Sequence, residues 1–273
     1  MNKKNLPYIL VIVLIIVAAA YVFYTQFAPL PHLSNATALA FDNQPVSTST
    51  YSELYSIANN QSLARGVSIA FASNPGYQKI NGTELYAGGK PEMLYVGAEY
   101  CPYCAITRWS MMIALMRFGN FTGLHYMTSS GVDVFPNTAT FTFYNSTYSS
   151  PYLTFVPVET TTNKPDPATG FYYPLQSINA SQTVVFSAYD KNSDIPFVDF
   201  GNQSLQVGTP INPQIVAGKN WTDIISSLNQ PSSQISENII GTANLYTTAI
   251  CEEIGNKAPV CSQSYVESIE KYD

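Results

Sequence analysis

The sequence predicts an α/β fold built around a pair of cysteines, and three neighbouring segments support this. Met93–Gly97 is a compact apolar run typical of a buried strand. Cys104–Phe118 carries apolar residues at helical spacing. Leu124–Ser130 predicts a second strand. A strand, a helix and a strand in this order form a βαβ unit, and Cys101 and Cys104 lie where its first strand meets the helix.

A CxxC pair at such a crossover is typical of a thioredoxin-like redox motif, so we expect a thioredoxin-like core. The rest of the chain divides by composition. Residues 28–49 are polar with scattered prolines and predict a linker, and residues 50–273 predict the thioredoxin-like domain. Within that domain, residues 131–190 are rich in Pro, Tyr, Thr and Ser and predict an irregular or β-rich insertion. Residues 220–273 predict a helical C-terminal part.

The N-terminal segment predicts a membrane anchor. Lys3 and Lys4 precede an apolar stretch, and no residue charged at pH 7 follows until Asp42. An uncharged stretch of this length is about enough to cross the hydrocarbon core as a helix, and the lysines favour a cytoplasmic N-terminus. We expect residues 1–27 to be the transmembrane helix of a single-pass cell-membrane protein with an extracytoplasmic domain. A cleaved signal peptide, with the alanines at 18–20 as its site, is the alternative.

The composition excludes several classes of function. Only 11% of the residues are charged and the formal net charge is −6, so no basic stripe is available to neutralise the phosphates of a nucleic acid. His32 and His125 are the histidines of the chain, which leaves histidine catalysis and histidine-rich metal sites poorly supplied. We expect no cofactor, no metal and no nucleic-acid partner.

The CxxC pair itself favours redox chemistry. Both sulfurs lie at a helix N-terminus, where unpaired N–H groups and the helix dipole favour a thiolate. We expect Cys101 to be the nucleophile and Cys104 the buried resolving thiol. Pro102 suits the first helical position, and Tyr103 is expected to tune the pair and touch substrate. Zinc binding, which needs about four ligands, and a purely structural disulfide are the alternatives.

Pro196 is expected to complete the site. In "DIPFVDFG" it directly precedes a predicted strand, Phe197–Phe200, long after the cysteine helix. Thioredoxin-like sites carry a cis-proline opposite the cysteines at the start of such a strand. We expect the Ile195–Pro196 bond to be cis because of this position in the chain, since only about 5% of X–Pro bonds are cis.

Three residues next to the cysteines each have two interpretations. Glu99 either moves protons during thiol exchange or is a surface carboxylate near the site. Arg108, one turn after Cys104, either steadies a thiolate or lies exposed on the helix face, and we expect the exposed position. Trp109 is expected in the core, with contact at the rim of the site as the alternative.

Cys251 and Cys261 bracket a turn between two predicted helices, in "CEEIGNKAPVC". We expect a structural disulfide in an oxidising compartment, because closing a loop of about ten residues removes entropy from the unfolded chain. A second redox pair that exchanges electrons with Cys101 and Cys104 is the alternative.

Longer blocks of the chain are similar to a known family. "YVGAEYCPYCA", "RWSMMIALMRFGNFTGL", "YSSPYLTFVPVE", "FVDFGNQ" and "GTANLYTTAICEEIGNKAPVC" resemble the family called domain of unknown function 929, over about residues 84–261. Its members are extracytoplasmic, often membrane-anchored proteins of archaea and actinobacteria. The resemblance implies a thioredoxin-like fold with an insert, a CPYC site at Cys101 and Cys104, and a terminal cysteine pair that matches Cys251 and Cys261.

Together these observations predict an extracytoplasmic thiol–disulfide oxidoreductase that acts on cysteines of exported proteins through its CPYC site. Its partners would be cysteine-containing exported proteins or a membrane redox partner, and its N-terminal helix would attach it to the membrane. The alternative is a non-catalytic envelope or binding module on the same scaffold, with a structural CxxC disulfide. The reactivity of Cys101 and Cys104 separates these two functions.

Overall fold

The computed structural model describes residues 6–27, 30–67, 77–80 and 82–270, and the described chain is mixed α/β. It divides into two compact units, Met1–Pro31 and His32–Asp273. The first unit holds helix α1 (Leu6–Phe27). The second holds the sheets, the remaining helices and all the predicted site residues.

The expected transmembrane helix at residues 1–27 is wrong. Within the described part of the chain, no helix combines the length and the apolar character needed to cross a membrane. Two predictions that depended on this helix are therefore also wrong: the fold class with a transmembrane helix and the single-pass membrane localisation. Residues 1–5 lie outside the described residues.

The helices of the second unit begin where short polar side chains cap them. Each cap accepts a hydrogen bond from the backbone N–H three residues later, which satisfies one of the free donors of the first turn. The capping residues are Ser34, Ser47, Asn60, Asn179, Asn220 and Ser233. The helices are α2 (Asn35–Phe41), α3 (Thr48–Ala58), α4 (Gln61–Gly66), α5 (Pro102–Leu115), α6 (Ala180–Tyr189), α7 (Trp221–Leu228), α8 (Gln234–Glu253) and α9 (Ser264–Glu270), with 3₁₀ turns at Pro213–Val216 and Pro259–Ser262.

The structure differs from the linker predicted at residues 28–49. Residues 32–49 belong to the second compact unit, where α2 and the start of α3 form and the Leu33 and Ala38 side chains are buried. The polar composition that predicts a linker reflects helix capping by Ser34 and Ser47.

The strands form one main sheet and three two-stranded sheets in the described chain. The main sheet has the order β1–β12–β11–β3–β2, and β8 also pairs with β3. β8 runs parallel to β3, whereas β11 runs antiparallel to it on the other side. The strands are β1 (Tyr77–Lys79), β2 (Tyr86–Ala87), β3 (Lys90–Gly97), β4 (Asn120–Thr122), β5 (His125–Thr128), β6 (Ala139–Thr142), β7 (Thr147–Ser149), β8 (Thr154–Glu159), β9 (Thr161–Pro165), β10 (Tyr172–Pro174), β11 (Phe197–Phe200) and β12 (Ser204–Val207).

The second strand of the expected βαβ unit is β8, not the segment Leu124–Ser130. That segment contains β5, which pairs with β6 in a separate two-stranded sheet. β8 lies inside the predicted insertion at residues 131–190, so that region supplies a strand of the main sheet as well as irregular structure. Long-range pairing decides this outcome, because the composition of residues 131–190 carries no signal for the partner of β3.

Helix α5 directly follows β3 and forms the centre of the core. All its residues except Tyr103 are buried, and it packs against α8 and β6. Trp109 is fully buried, and its indole N–H donates to the carbonyl oxygen of Ala139 at 2.9 Å. A helix buried on all sides has little freedom to shift, so the residues at its N-terminus are held firmly.

The C-terminal helices α7, α8 and α9 occupy the region predicted to be helical, residues 220–273. Cys251 and Cys261 form a disulfide with a Cα–Cα distance of 5.5 Å. It joins the last turn of α8 to the 3₁₀ turn at Pro259–Ser262, and both cysteines are buried.

Two carboxyl groups of the second unit are buried without a basic partner in the described chain. Asp199 on β11 is fully buried, and its Oδ2 accepts the N–H of Asn202 at 3.0 Å. Burial raises the pKa of Asp199 to about 7. Burial, followed by the charge of Asp199, raises the pKa of Glu253 on α8 to about 9. Both groups favour the protonated form in the folded state.

These raised pKa values predict that the fold is most stable in acid. Between about pH 4, where unfolded carboxyls ionise, and the folded pKa of about 7 for Asp199, only the unfolded state loses the proton. The free energy of unfolding should therefore fall as the pH rises, by up to about 1.4 kcal/mol per pH unit for one such group. In Asp199→Asn, the free energy of unfolding, measured by urea denaturation, should decrease less steeply between pH 4 and pH 7. The exposed Asp194→Asn serves as the control, and equal slopes in both variants would contradict the assignment.

Candidate active site

The two cysteines lie at the junction of β3 and α5. Cys101 is the N-cap of α5, and its Sγ accepts the backbone N–H of Cys104 at 3.2 Å. Pro102 occupies the first turn, where its missing N–H costs no hydrogen bond. Cys101 keeps a 5% exposed fraction, whereas Cys104 is fully buried, and both are free thiols. Of the two cysteines, Cys101 is therefore the one nearer the surface.

The surroundings make the two thiols chemically different. A hydrogen bond from the Cys104 thiol, the backbone N–H of Cys104 and the charge of Arg108 lower the pKa of Cys101, although burial opposes them. Burial, followed by the interaction with Cys101, raises the pKa of Cys104 well above its ordinary value. Cys101 is therefore the thiol that ionises first, and Cys104 keeps its proton to higher pH.

Ile195 and Pro196 approach the cysteines from the start of β11. The Ile195–Pro196 peptide bond is cis, and the Cys101 thiol lies 4.0 Å from the carbonyl oxygen of Ile195. Ile195 also packs against the small apolar cluster of Ala98, Cys101 and Cys104. Because β11 pairs with β3 from Phe197 onward, the sheet itself holds these two residues beside the cysteines.

Arg108 is fully buried, so the expectation of an exposed helix-face arginine is wrong. Its Nε donates to Glu159 Oε1 at 2.8 Å and its Nη2 to Glu159 Oε2 at 2.6 Å, a bidentate ion pair. Nη2 also donates to the carbonyl oxygen of Ala98 at 2.7 Å. Glu159 is the last residue of β8. A strand far away in sequence therefore supplies the negative charge that allows Arg108 to be buried.

Glu159 is a site residue that sequence patterns do not single out, although one signal points to it. In "TFVPVE" a carboxylate directly follows an apolar run that reads as a buried strand, and an acidic residue at such a position requires a partner. The sequence does not show which cation provides it.

Glu99 is also buried, so the interpretation as a surface carboxylate is wrong. The hydroxyl of Thr142 donates to Glu99 Oε1 at 2.6 Å, and burial raises the pKa of Glu99 to about 7. The charges that act on Glu99 are those of Glu159, Arg108 and Asp42. A role of Glu99 in proton transfer stays a prediction.

Aromatic rings form an apolar rim beside the cysteines, where Tyr100 packs against the cluster of Ala98, Cys101 and Cys104. Tyr103 is 39% exposed and meets Phe135 edge-on, with 6.0 Å between the ring centroids. Tyr100 stacks on Tyr172 at 4.1 Å. Trp109 takes no part in this rim, since it is enclosed in the core. An apolar rim next to one accessible thiol suits contact with a polypeptide segment.

The other two alternatives, a second redox pair and a metal site, find no support beside Cys101 and Cys104 in the described chain. Cys251 and Cys261 are engaged with each other in the disulfide at the end of α8. In the part of the chain that the structure describes, no group of three or more His, Cys, Asp or Glu side chains is placed to hold a metal ion.

Comparisons with known proteins identify the family. The family model described as "Domain of unknown function (DUF929)" matches residues 76–169 and 169–252. These matches cover more than half of the chain, and the chain belongs to this family. No curated protein and no solved structure matches the chain.

The buried ion pair predicts a large asymmetry between two glutamate variants. Glu159→Gln leaves the charge of Arg108 buried without its counter-charge, which typically costs about 3–5 kcal/mol, so urea denaturation should show a loss of that size. The control is Glu252→Gln, because Glu252 pairs with Lys79 at 3.1 Å on the surface and such pairs contribute about 0–1 kcal/mol. Similar losses in the two variants would contradict the role assigned to Glu159.

Proposed function

We propose that this family member is a thiol–disulfide oxidoreductase that works in the manner of a thioredoxin-like CPYC site. The observation that carries the proposal is the asymmetry of the two thiols at the N-terminus of α5. Cys101 keeps a small exposed fraction and has a lowered pKa, whereas Cys104, one turn further on, is fully enclosed and has a raised pKa. A purely structural disulfide needs no such difference between its sulfurs.

The proposed reaction begins with the Cys101 thiolate, whose proton has gone to solvent. The thiolate attacks one sulfur of a substrate disulfide, and that S–S bond breaks as the Cys101–substrate bond forms. The first substrate sulfur leaves as a thiolate and takes a proton from solvent. Cys104 then loses its proton and attacks Cys101 Sγ, which releases the second substrate sulfur. The substrate disulfide is reduced to two thiols, and the CxxC pair is oxidised to a disulfide by the same two electrons.

The reverse sequence oxidises substrate thiols with the same atoms, and the direction depends on the relative reduction potentials of protein and substrate. The proposed substrates are cysteines of other proteins, which the sequence predicts to be exported proteins. A redox partner must then return the CxxC pair to its starting state. The aromatic rim of Tyr100, Tyr103, Phe135 and Tyr172 supports a protein substrate, because it offers apolar contacts beside Cys101.

A trapping experiment tests whether Cys101 is the attacking thiol and Cys104 the resolving thiol. Cys104→Ser removes the resolving thiol, so this variant should accumulate a mixed disulfide through Cys101 when mixed with insulin, a polypeptide with accessible disulfides. Cys101→Ser is the matched control and should trap little, because Cys104 is enclosed and has a raised pKa. Mass spectrometry under non-reducing conditions reads the adducts.

Trapping by neither variant would contradict the proposal and favour a non-catalytic binding module. Equal trapping by both variants would contradict the assignment of Cys101 as the attacking residue.

A further inference from the structure

Two buried hydrogen-bond donors near the cysteines have no acceptor. They are the hydroxyl of Tyr95 and Nη1 of Arg108, and neither has a partner within the described chain. Both side chains are fully buried, so bulk solvent does not reach them. Buried donors without partners are rare in folded proteins and call for an explanation.

Both donors belong to groups close enough to Cys104 to interact with it electrostatically. Arg108 lies four residues after Cys104 on α5, so the two side chains share one face of the helix. The guanidinium of Arg108 lies 5.9 Å from the ring centroid of Tyr95 on β3. The Tyr95 hydroxyl occupies the space where a side chain on Gly97 would be. This glycine therefore lets the hydroxyl reach the end of β3, next to Ala98 and the cysteines.

The neighbouring carboxylates are already engaged. Both oxygens of Glu159 accept hydrogen bonds from Arg108 through Nε and Nη2, and Glu99 accepts from Thr142. The ion pair holds the guanidinium in a fixed orientation and leaves Nη1 free. Cys101 and Cys104 each carry a negative charge in the proposed reaction, and Cys104 is the fully buried one, on the same helix face as Arg108.

We propose that the Tyr95 hydroxyl and Arg108 Nη1 stabilise the Cys104 thiolate at the step in which it resolves the mixed disulfide, an inference that rests on the function proposed above. In the resting protein the donors have no acceptor. When Cys104 loses its proton, its sulfur becomes a negatively charged acceptor in a site shielded from bulk solvent. Donors that are already in place then need no rearrangement, which is the condition for electrostatic stabilisation of a reacting group.

In the resolving step, Tyr95 and Arg108 only donate hydrogen bonds and exchange no proton or electron with the cysteines. The Cys104 thiolate attacks Cys101 Sγ, the bond between Cys101 and the substrate sulfur breaks, and the proton lost by Cys104 ends on the departing substrate thiolate. Tyr95 keeps its own proton throughout, because burial raises the pKa of its hydroxyl well above the ordinary value. The charge of Arg108 lowers the pKa of Cys104 against the larger effect of burial, in the direction that the proposal needs.

The test is the reaction of the reduced full chain with 5,5′-dithiobis(2-nitrobenzoate), which releases one coloured thiolate at each step. Attack by Cys101 gives the first phase and resolution by Cys104 the second. Tyr95→Phe should slow the second phase by at least about 10-fold and shift the midpoint of its pH profile upward, while the first phase stays within about twofold. The variant should fold, since it removes only a hydroxyl that has no partner in the resting protein.

Tyr246→Phe is the matched control, because Tyr246 is another fully buried tyrosine, packed against Phe200 away from the cysteine cluster. It should leave both phases unchanged. An unchanged second phase and pH profile in Tyr95→Phe would overturn this inference alone. A wild-type protein that shows no second phase would overturn the proposed function, and this inference with it.

Discussion

The buried ion pair between Arg108 and Glu159 is the contact on which the geometry of the site depends. Arg108 belongs to α5, Glu159 ends β8, and the same guanidinium holds the carbonyl of Ala98 at the end of β3. One side chain thus fixes three elements at the point where the cysteines lie. Since a buried charge is tolerated only with a partner and good hydrogen bonds, the pairing of β8 with β3 and the position of α5 require each other.

This constraint also explains the difference between the two thiols. At the N-terminus of α5, Cys101 accepts a hydrogen bond from a backbone N–H and keeps a small exposed fraction. Cys104 lies one turn deeper, between the helix and the sheet, where burial dominates its ionisation. The charge of Arg108 acts on both sulfurs, so it favours whichever cysteine carries the thiolate in the proposed cycle.

The parts of this picture that depend on local pattern are visible in the sequence. The helix that begins at Pro102 with Cys101 as its cap, the strand after Pro196 and the linkage of Cys251 to Cys261 all follow from short stretches of residues. The parts that depend on long-range pairing are not visible. The sequence predicts an exposed Arg108 because its partner is 51 residues away on β8, and it predicts an insertion where β8 joins the main sheet. Composition alone also misleads in two places. The serines in the predicted linker cap helices α2 and α3. In the described chain, no helix is long and apolar enough to cross a membrane.

The reduction potential of the Cys101–Cys104 pair tests the central claim most directly. The reduced and oxidised forms of the full chain would be equilibrated in graded thiol–disulfide buffers, free thiols alkylated, and each cysteine pair read separately by mass spectrometry. A working oxidoreductase predicts a potential between about −120 and −270 mV for Cys101–Cys104, with Cys101 alkylated faster than Cys104. A potential below about −300 mV, typical of structural disulfides, would contradict the account and make the CxxC pair a structural crosslink.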